Sequence, residues 1–282
     1  MTMTDFKHYT QAPLPFIGQK RQFLNLFKQQ ALSHIPGDGA GWTIVDVFGG
    51  SGLLAHTAKR CKPAARVIYN DYDDYASRLR QIADTNRLRR RLAAILEGHG
   101  RNSRLDAAAK ADIIHTIQSF DGYTDRLCLC SWLLFSCQQA ADLDTLSGRH
   151  FYNNIRLSDY PDAHGYLDGL EITCLPFDRL LPQYADSPNT LLILDPPYVS
   201  TEQGAYAKSG YFGMVQFLRL MDFVRPPCVI FGSTRSGLPA YLDYLREHHP
   251  DRWRHLDGLT RHRLAAHAAK GVGYEDNMMV KF

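Results

Sequence analysis

The sequence has no CxxC pair among its six cysteines, and none of its histidines stands at zinc-ligand spacing beside them. That excludes a zinc ribbon or a dithiol redox motif. Cys61, Cys128, Cys130, Cys137, Cys174 and Cys228 therefore read as buried reduced thiols, and no metal is expected. Long apolar runs are equally scarce: the longest, residues 127–137 (LCLCSWLLFSC), is about half a membrane span. The opening MTMTDFKHYT carries no apolar stretch and no small-residue cleavage site, so a soluble, cytoplasmic protein is expected. Internal repeats and low-complexity tracts are missing as well. Net charge is close to absent, since 32 Lys and Arg against 29 Asp and Glu give +3, which argues neither for nor against a nucleic-acid partner. What remains is 282 residues at 45% hydrophobic and 22% charged, which excludes global disorder and allows a sizeable core.

Short apolar, β-branched runs stand at residues 43–48 (TIVDVF), 66–70 (RVIYN), 170–174 (LEITC), 191–194 (LLIL), 228–231 (CVIF) and 278–281 (MMVK). Each precedes a turn signal or a helical pattern, or closes the chain, so the spacing predicts an α/β sheet. Between the second and third runs lie roughly 100 residues with helical spacing, too long for one crossover. Residues 75–168 are read as an inserted, mainly helical lobe, and residues 1–74 with 169–282 as the sheet domain.

After the first run, Gly49-Gly50-Ser51-Gly52 leads into a helical pattern, and Asp71 closes the second run. A glycine turn at a helix amino terminus lets a ligand approach free backbone N–H groups. The segment satisfies GxGxxA, so by itself it suits NAD or S-adenosylmethionine equally, or a turn with no ligand. Asp195-Pro196-Pro197-Tyr198 decides between them. Two prolines stiffen the end of a buried strand and hold Asp195 and Tyr198 in fixed directions. A nucleobase amine is a poor nucleophile because its lone pair is delocalised. A carboxylate and the Pro196 carbonyl accepting its N–H groups would localise that pair for attack on a sulfonium methyl, while the Tyr198 ring stacks on the extruded base.

These residues resemble, in order, the motifs of a DNA adenine-N6 methyltransferase of the Dam-like (D12) class. Residues 13–20 (PLPFIGQK) are similar to that family's P-x-x-W-x-G-G-K segment, with Phe16 in place of Trp and Gln19 in place of a glycine. Residues 46–52 (DVFGGSG) are similar to its acid-x-F-x-G-x-G turn, Asp71 to its ribose-binding acid, and residues 195–198 to its catalytic DPPY tetrad. Residues 274–280 (YEDNMMV) look like its closing strand. The resemblance implies a Rossmann-like α/β methyltransferase sheet carrying an inserted helical DNA-recognition lobe. It implies S-adenosylmethionine as cofactor, held by Phe16, Gly18, Lys20, Asp46, Phe48, Gly49, Gly50, Ser51, Gly52, Asp71, Phe177 and Asp178, although Asp178 equally suits a helix cap. Catalysis falls to Asp195, Pro196, Pro197 and Tyr198.

The implied partner is double-stranded DNA, with a monomeric enzyme as the default. From residue 78 to 104 eight arginines face two acids, a local charge of +6: Arg78, Arg80, Arg87, Arg89, Arg90, Arg91, Arg101 and Arg104. Arginine at helical spacing suits phosphate and base-edge contact, against the alternative of a solvated helix face. Residues 200–206 and 233–236 stand as loops at the same sheet edge. Cytosine-N4 transfer, or a DNA-binding module with a degraded cofactor site, are the competing readings. Sites of restriction-linked, regulatory or phage-protective enzymes are all compatible with the motifs.

Overall fold

A computed structural model describes residues 8–136, 138–199, 212–234, 236–269 and 272–282, with the side chains of 266–269 and 272–274 left aside. In chain order the elements are α1 (Leu24–Gln30), β1 (Thr43–Asp46), α2 (Leu53–Cys61), β2 (Arg66–Asn70), α3 (Tyr75–Arg80), α4 (Ile82–Ile95), α5 (Ala107–Gln118), α6 (Arg126–Leu133) and α7 (Leu143–Ser147). They continue with β3 (Leu170–Thr173), α8 (Phe177–Leu180), β4 (Thr190–Leu194), α9 (Met214–Phe223), β5 (Cys228–Ser233), α10 (Leu238–His248), α11 (Pro250–Trp253), β6 (Thr260–Ala269) and β7 (Val272–Lys281). The architecture is the α/β sheet that the apolar runs predict, and it is Rossmann-like, as the family resemblance implies.

The seven strands run in the order β3-β2-β1-β4-β5-β7-β6. The first five pair in parallel, and β7 enters antiparallel between β5 and β6. Strand order reverses between β1 and β4, and ligands of such sheets bind in the crevice at the carboxyl ends on either side of that reversal. Asp46 ends β1 and Asp195 follows β4, with Asp46 in register with Ile193. The fold thereby brings two carboxylates, 149 positions apart in sequence, close to one another at neighbouring strand ends.

Strand side chains divide by alternation into two cores. Ile44, Val67, Leu191, Ile193, Val229 and Phe231 point to one face, with α1 and α2. Val45, Ile68, Leu192, Leu194, Cys228 and Ile230 point to the other, with α8, α9 and α10. Burial on both faces is why β4 is apolar at every central position instead of alternating with polar residues.

Between β2 and β3 the described residues form α3 to α7 and one isolated bridge, Arg104 with Tyr152. Three of these helices start at an aspartate accepting a backbone N–H: Asp106 from Ala109, Asp125 from Cys128 and Asp142 from Thr145. The apolar run 127–137 lies largely in α6, whose Leu129, Trp132 and Leu133 are buried. Their core is continuous with one face of the sheet. Among the described cysteines no disulfide forms. Cys174 is exposed and Cys61 half-buried, so the expectation of uniform burial is corrected at those two positions, while Cys137 lies outside the described residues.

Two elements differ from the sequence reading. The closing run extends over ten residues as β7, and β6, which lies in none of the apolar runs, is its ten-residue antiparallel partner. β6 (TRHRLAAHAA) has a single β-branched residue and three consecutive near-alternations broken by alanine pairs, so neither propensity nor period marks it; pairing with β7 makes it a strand.

Candidate active site

One cleft at the strand-order reversal is lined by Phe16, Gly18 and Lys20 of the amino-terminal segment, and by Phe48, Gly49, Gly50 and Ser51 of the glycine turn. Tyr72 and Asp73 close it after β2, and Asp195 and Pro197 after β4. Ile17, Gln19, Leu53 and Leu54 complete its wall. Four separated segments of sequence meet there.

The glycine turn packs tightly on its neighbours. A Cβ on Gly49 would overlap the Tyr69 ring, and one on Gly50 would lie 2.8 Å from the Phe16 ring, where φ is also +49°. Gly52, at φ +73°, caps α2 without a side chain of its own. Asp46, 1% exposed, accepts the Ala55 N–H through Oδ2 at 3.2 Å, while its Oδ1 is buried with no hydrogen-bond partner. Burial, and then the nearby charge of Asp195, push the Asp46 carboxyl up to about 7. A buried acceptor without a donor calls for a cationic or N–H-bearing group.

The amino-terminal segment is held from the lobe side. Tyr75 Oη donates to the Leu14 carbonyl and accepts from the Leu14 N–H, both at 2.9 Å, and its ring meets Phe16 edge-on at 5.8 Å. Gln19, the departure from the family glycine, accepts the Ala12 N–H through Oε1 at 3.1 Å, so its side chain pins the segment. Lys20 Nζ then reaches Asp195 Oδ2 at 2.5 Å and the Gly18 carbonyl at 2.9 Å. Burial raises the Asp195 carboxyl above its ordinary range, and the Lys20 charge opposes that rise. Tyr198 faces a second, smaller crevice with Pro196, Pro197, Val199 and Phe231, its ring centroid 6.0 Å from Lys20 Nζ.

Several assignments change here. Asp71 does not line the cleft: Oδ1 accepts the Tyr69 hydroxyl at 3.0 Å and the Tyr75 N–H at 2.6 Å, and Oδ2 accepts the Ala76 N–H at 2.8 Å. It starts α3, and the neighbouring Asp73 and Tyr72 face the cleft instead. Phe177 is 2% exposed, packed 5.9 Å from Phe48 and 6.0 Å from Phe212, so it backs the cleft wall without forming it. Asp178 pairs with Arg219 at 2.8 Å; it neither contacts the cleft nor caps α8, where Pro176 holds the cap position.

The arginine run also divides. Arg78, buried, pairs with Asp125 at 2.8 Å and donates to the Pro15 carbonyl at 2.9 Å, so it braces the segment that carries Phe16. Arg89, buried, pairs with Asp159 at 2.7 Å and donates to the Arg156 carbonyl. Neither is placed for a phosphate. Arg87 is half-buried between Asp84 and Asp121, over the Phe120 ring. Arg80, Arg90, Arg91, Arg101 and Arg104 are exposed. Arg101 donates to the Ile155 carbonyl, Arg104 meets His150, and Arg91 lies over Phe120. Residues 200–206 and Arg235 lie outside the described residues.

A largely parallel sheet thus brings a glycine turn and the Asp195-Pro196-Pro197-Tyr198 turn to the cleft at its strand-order reversal. The family model for the D12 class N6 adenine-specific DNA methyltransferase matches residues 16–213, and the chain belongs to that family. It is an adenine-specific DNA methyltransferase. Over 282 residues the chain is 49% identical to a Haemophilus influenzae protein named "Putative methyltransferase", covering all of this chain and 95% of that one.

Proposed function

We propose that the protein moves a methyl group from S-adenosylmethionine to the N6 amine of an adenine turned out of double-stranded DNA. The observation that carries this reading is the half-buried Asp195 carboxylate just after β4, which lines the cleft together with Phe16, Lys20, the glycine turn and Asp73. S-adenosylmethionine, when bound, supplies a methyl group on a positively charged sulfur. The residues suit it: Phe16 and Phe48 are apolar walls, Asp73 is the acid for ribose hydroxyls, and behind the glycine turn the buried Asp46 Oδ1 is an acceptor with no donor of its own.

Asp195 accepts a hydrogen bond from the target amine, and the Pro196 carbonyl can accept the second N–H. Withdrawing both hydrogens from the ring plane turns the nitrogen toward tetrahedral geometry and frees its lone pair. Burial raises the Asp195 carboxyl, so its carboxylate is a strong acceptor. Lys20 occupies that acceptor first, and the arriving amine takes its place. The Tyr198 ring offers a stacking plate for the base, which offsets the cost of unstacking it. The exposed Arg80, Arg90, Arg91, Arg101 and Arg104, with half-buried Arg87, supply phosphate contacts.

The test is transfer of labelled methyl from S-adenosylmethionine to plasmid DNA, followed by nucleoside analysis. N6-methyladenine is expected, lost in Asp195→Ala while cofactor binding persists. N4-methylcytosine, or label only in RNA or protein, overturns the reading.

A further inference from the structure

Residues 14–20 give the cleft Phe16, Gly18 and Lys20, yet they belong to no helix and no strand, so no ladder of backbone hydrogen bonds fixes them. Two side chains of α3 hold the start of this stretch. Tyr75, the first residue of α3 and completely buried, satisfies both backbone groups of the buried Leu14 with one hydroxyl, donating to the carbonyl and accepting from the N–H. One turn later, on the same helix face, Arg78 donates to the Pro15 carbonyl at 2.9 Å from the nitrogen that also reaches Asp125 Oδ1 at 3.1 Å. The guanidinium lies 5.0 Å from the centre of the Tyr75 ring, so the two side chains hold each other as well as the segment.

Phe16 is the next residue, and it lines the cleft. The Tyr75 ring stands edge-on to its ring at 5.8 Å, and Gly50 approaches so closely that an added Cβ would meet the Phe16 ring at 2.8 Å. We propose that Tyr75 and Arg78 are positioning residues for the methyl donor: they clamp Leu14-Pro15 to the first helix of the inserted segment and so set the Phe16 ring as a wall of the cofactor cleft. The inference rests on the proposed use of that cleft. Neither residue lines the cleft, so both act through Phe16. Tyr75 is placed in turn by Asp71, whose Oδ1 accepts its N–H at 2.6 Å, which gives the acid after β2 a part in the cofactor site although it does not line it. A preset wall spares a ligand the cost of ordering it, and a loosened one lowers affinity without touching the reacting atoms.

Titration calorimetry with S-adenosylmethionine on the full chain tests the clamp. Tyr75→Phe keeps the ring and removes the hydroxyl. It should weaken binding about tenfold and raise KM for S-adenosylmethionine by the same factor, with kcat at saturating cofactor within about twofold of native. Arg78→Lys keeps a cation for Asp125 and loses the fork that reaches Pro15 as well, and about threefold weaker binding is expected. In a Phe16→Ala background each change should cost less than about twofold. Native-like affinity in a cooperatively melting Tyr75→Phe protein, or an equal cost with and without Phe16, overturns the clamp and leaves the two side chains as core alone. If Tyr75→Phe does not melt cooperatively, Arg78→Lys carries the same cycle with the same two overturning results. Failure of the native protein to bind S-adenosylmethionine overturns the proposed function and the clamp together, whereas native binding with an additive cycle leaves the function standing and removes only the clamp.

Discussion

Lys20 Nζ sits 2.5 Å from Asp195 Oδ2, so the carboxylate that would receive the substrate amine already holds a cation. That cation also opposes the rise that burial imposes on the Asp195 carboxyl. In Lys20→Met burial acts unopposed, and the carboxyl moves higher still. The acidic limb of the kcat/KM profile for DNA should shift to higher pH by about one unit, with activity recovering as the medium becomes alkaline. A loss of equal size at every pH would show that Lys20 does not act through Asp195 ionisation.

Motif position points to Asp71 for the ribose, whereas Asp73 is the carboxylate that lines the cleft. Asp71 is filled by three donors and starts α3, so Asp71→Ala should lower stability by about 1–3 kcal/mol. Asp73→Ala should weaken S-adenosylmethionine binding about tenfold. Calorimetry on both variants checks this, and the reverse pattern would return the ribose to Asp71.

The arginines separate by burial. Asp125→Ala strands the buried Arg78 guanidinium and takes away the α6 cap, so a loss of about 3–5 kcal/mol is expected in chemical denaturation. Arg91→Ala and Arg104→Ala should melt like the native protein. Each should weaken DNA binding and lower the slope of log affinity against log salt by about one. Unchanged slopes would make those two side chains an ordinary solvated surface.

His56 is buried, accepts the Tyr9 N–H through Nε2 at 3.1 Å and donates from Nδ1 to the Tyr166 carbonyl at 2.7 Å. Burial lowers it from 6.5 to about 4. The unfolded chain takes up the proton first, so this group's share of stability is present above pH 6.5 and is lost as pH falls toward 4. Asp46, raised from 3.8 to about 7, acts in the opposite sense, its share being lost as pH rises through that window. Comparing melting against pH for His56→Gln with the native protein isolates the first effect. The difference between the two curves should grow smaller on acidification, and parallel curves would count against it.

Much of the sheet was legible because β1, β2, β4 and β5 are apolar runs bounded by turns, and the order of motifs placed Asp46 and Asp195 at strand ends. What was not legible depends on partners far off in sequence. Asp125 and Asp159 absorb Arg78 and Arg89 from 47 and 70 positions away, and a one-signed run gives no hint of which members turn inward. Asp71 and Asp73 are separated by one residue, and only the start of α3 decides which carboxylate faces the cleft. Gln19 departs from a glycine motif in sequence, and its use, accepting the Ala12 N–H, depends on how the segment folds back. β6 has the composition of a loop or a weak helix and becomes a strand through its neighbour.

Tyr166, completely buried near the end of the segment between β2 and β3, donates its hydroxyl to the Ser51 carbonyl at 2.9 Å, and its own carbonyl receives His56. The returning chain is therefore a wall of the glycine turn before it reaches β3. For recombination between relatives, the workable crossover falls upstream of Tyr166 and not at the start of β3 at Leu170. A graft that carried a foreign lobe through to Leu170 would replace a wall of the glycine turn along with the lobe, whereas one that ended before Tyr166 would leave that wall in place.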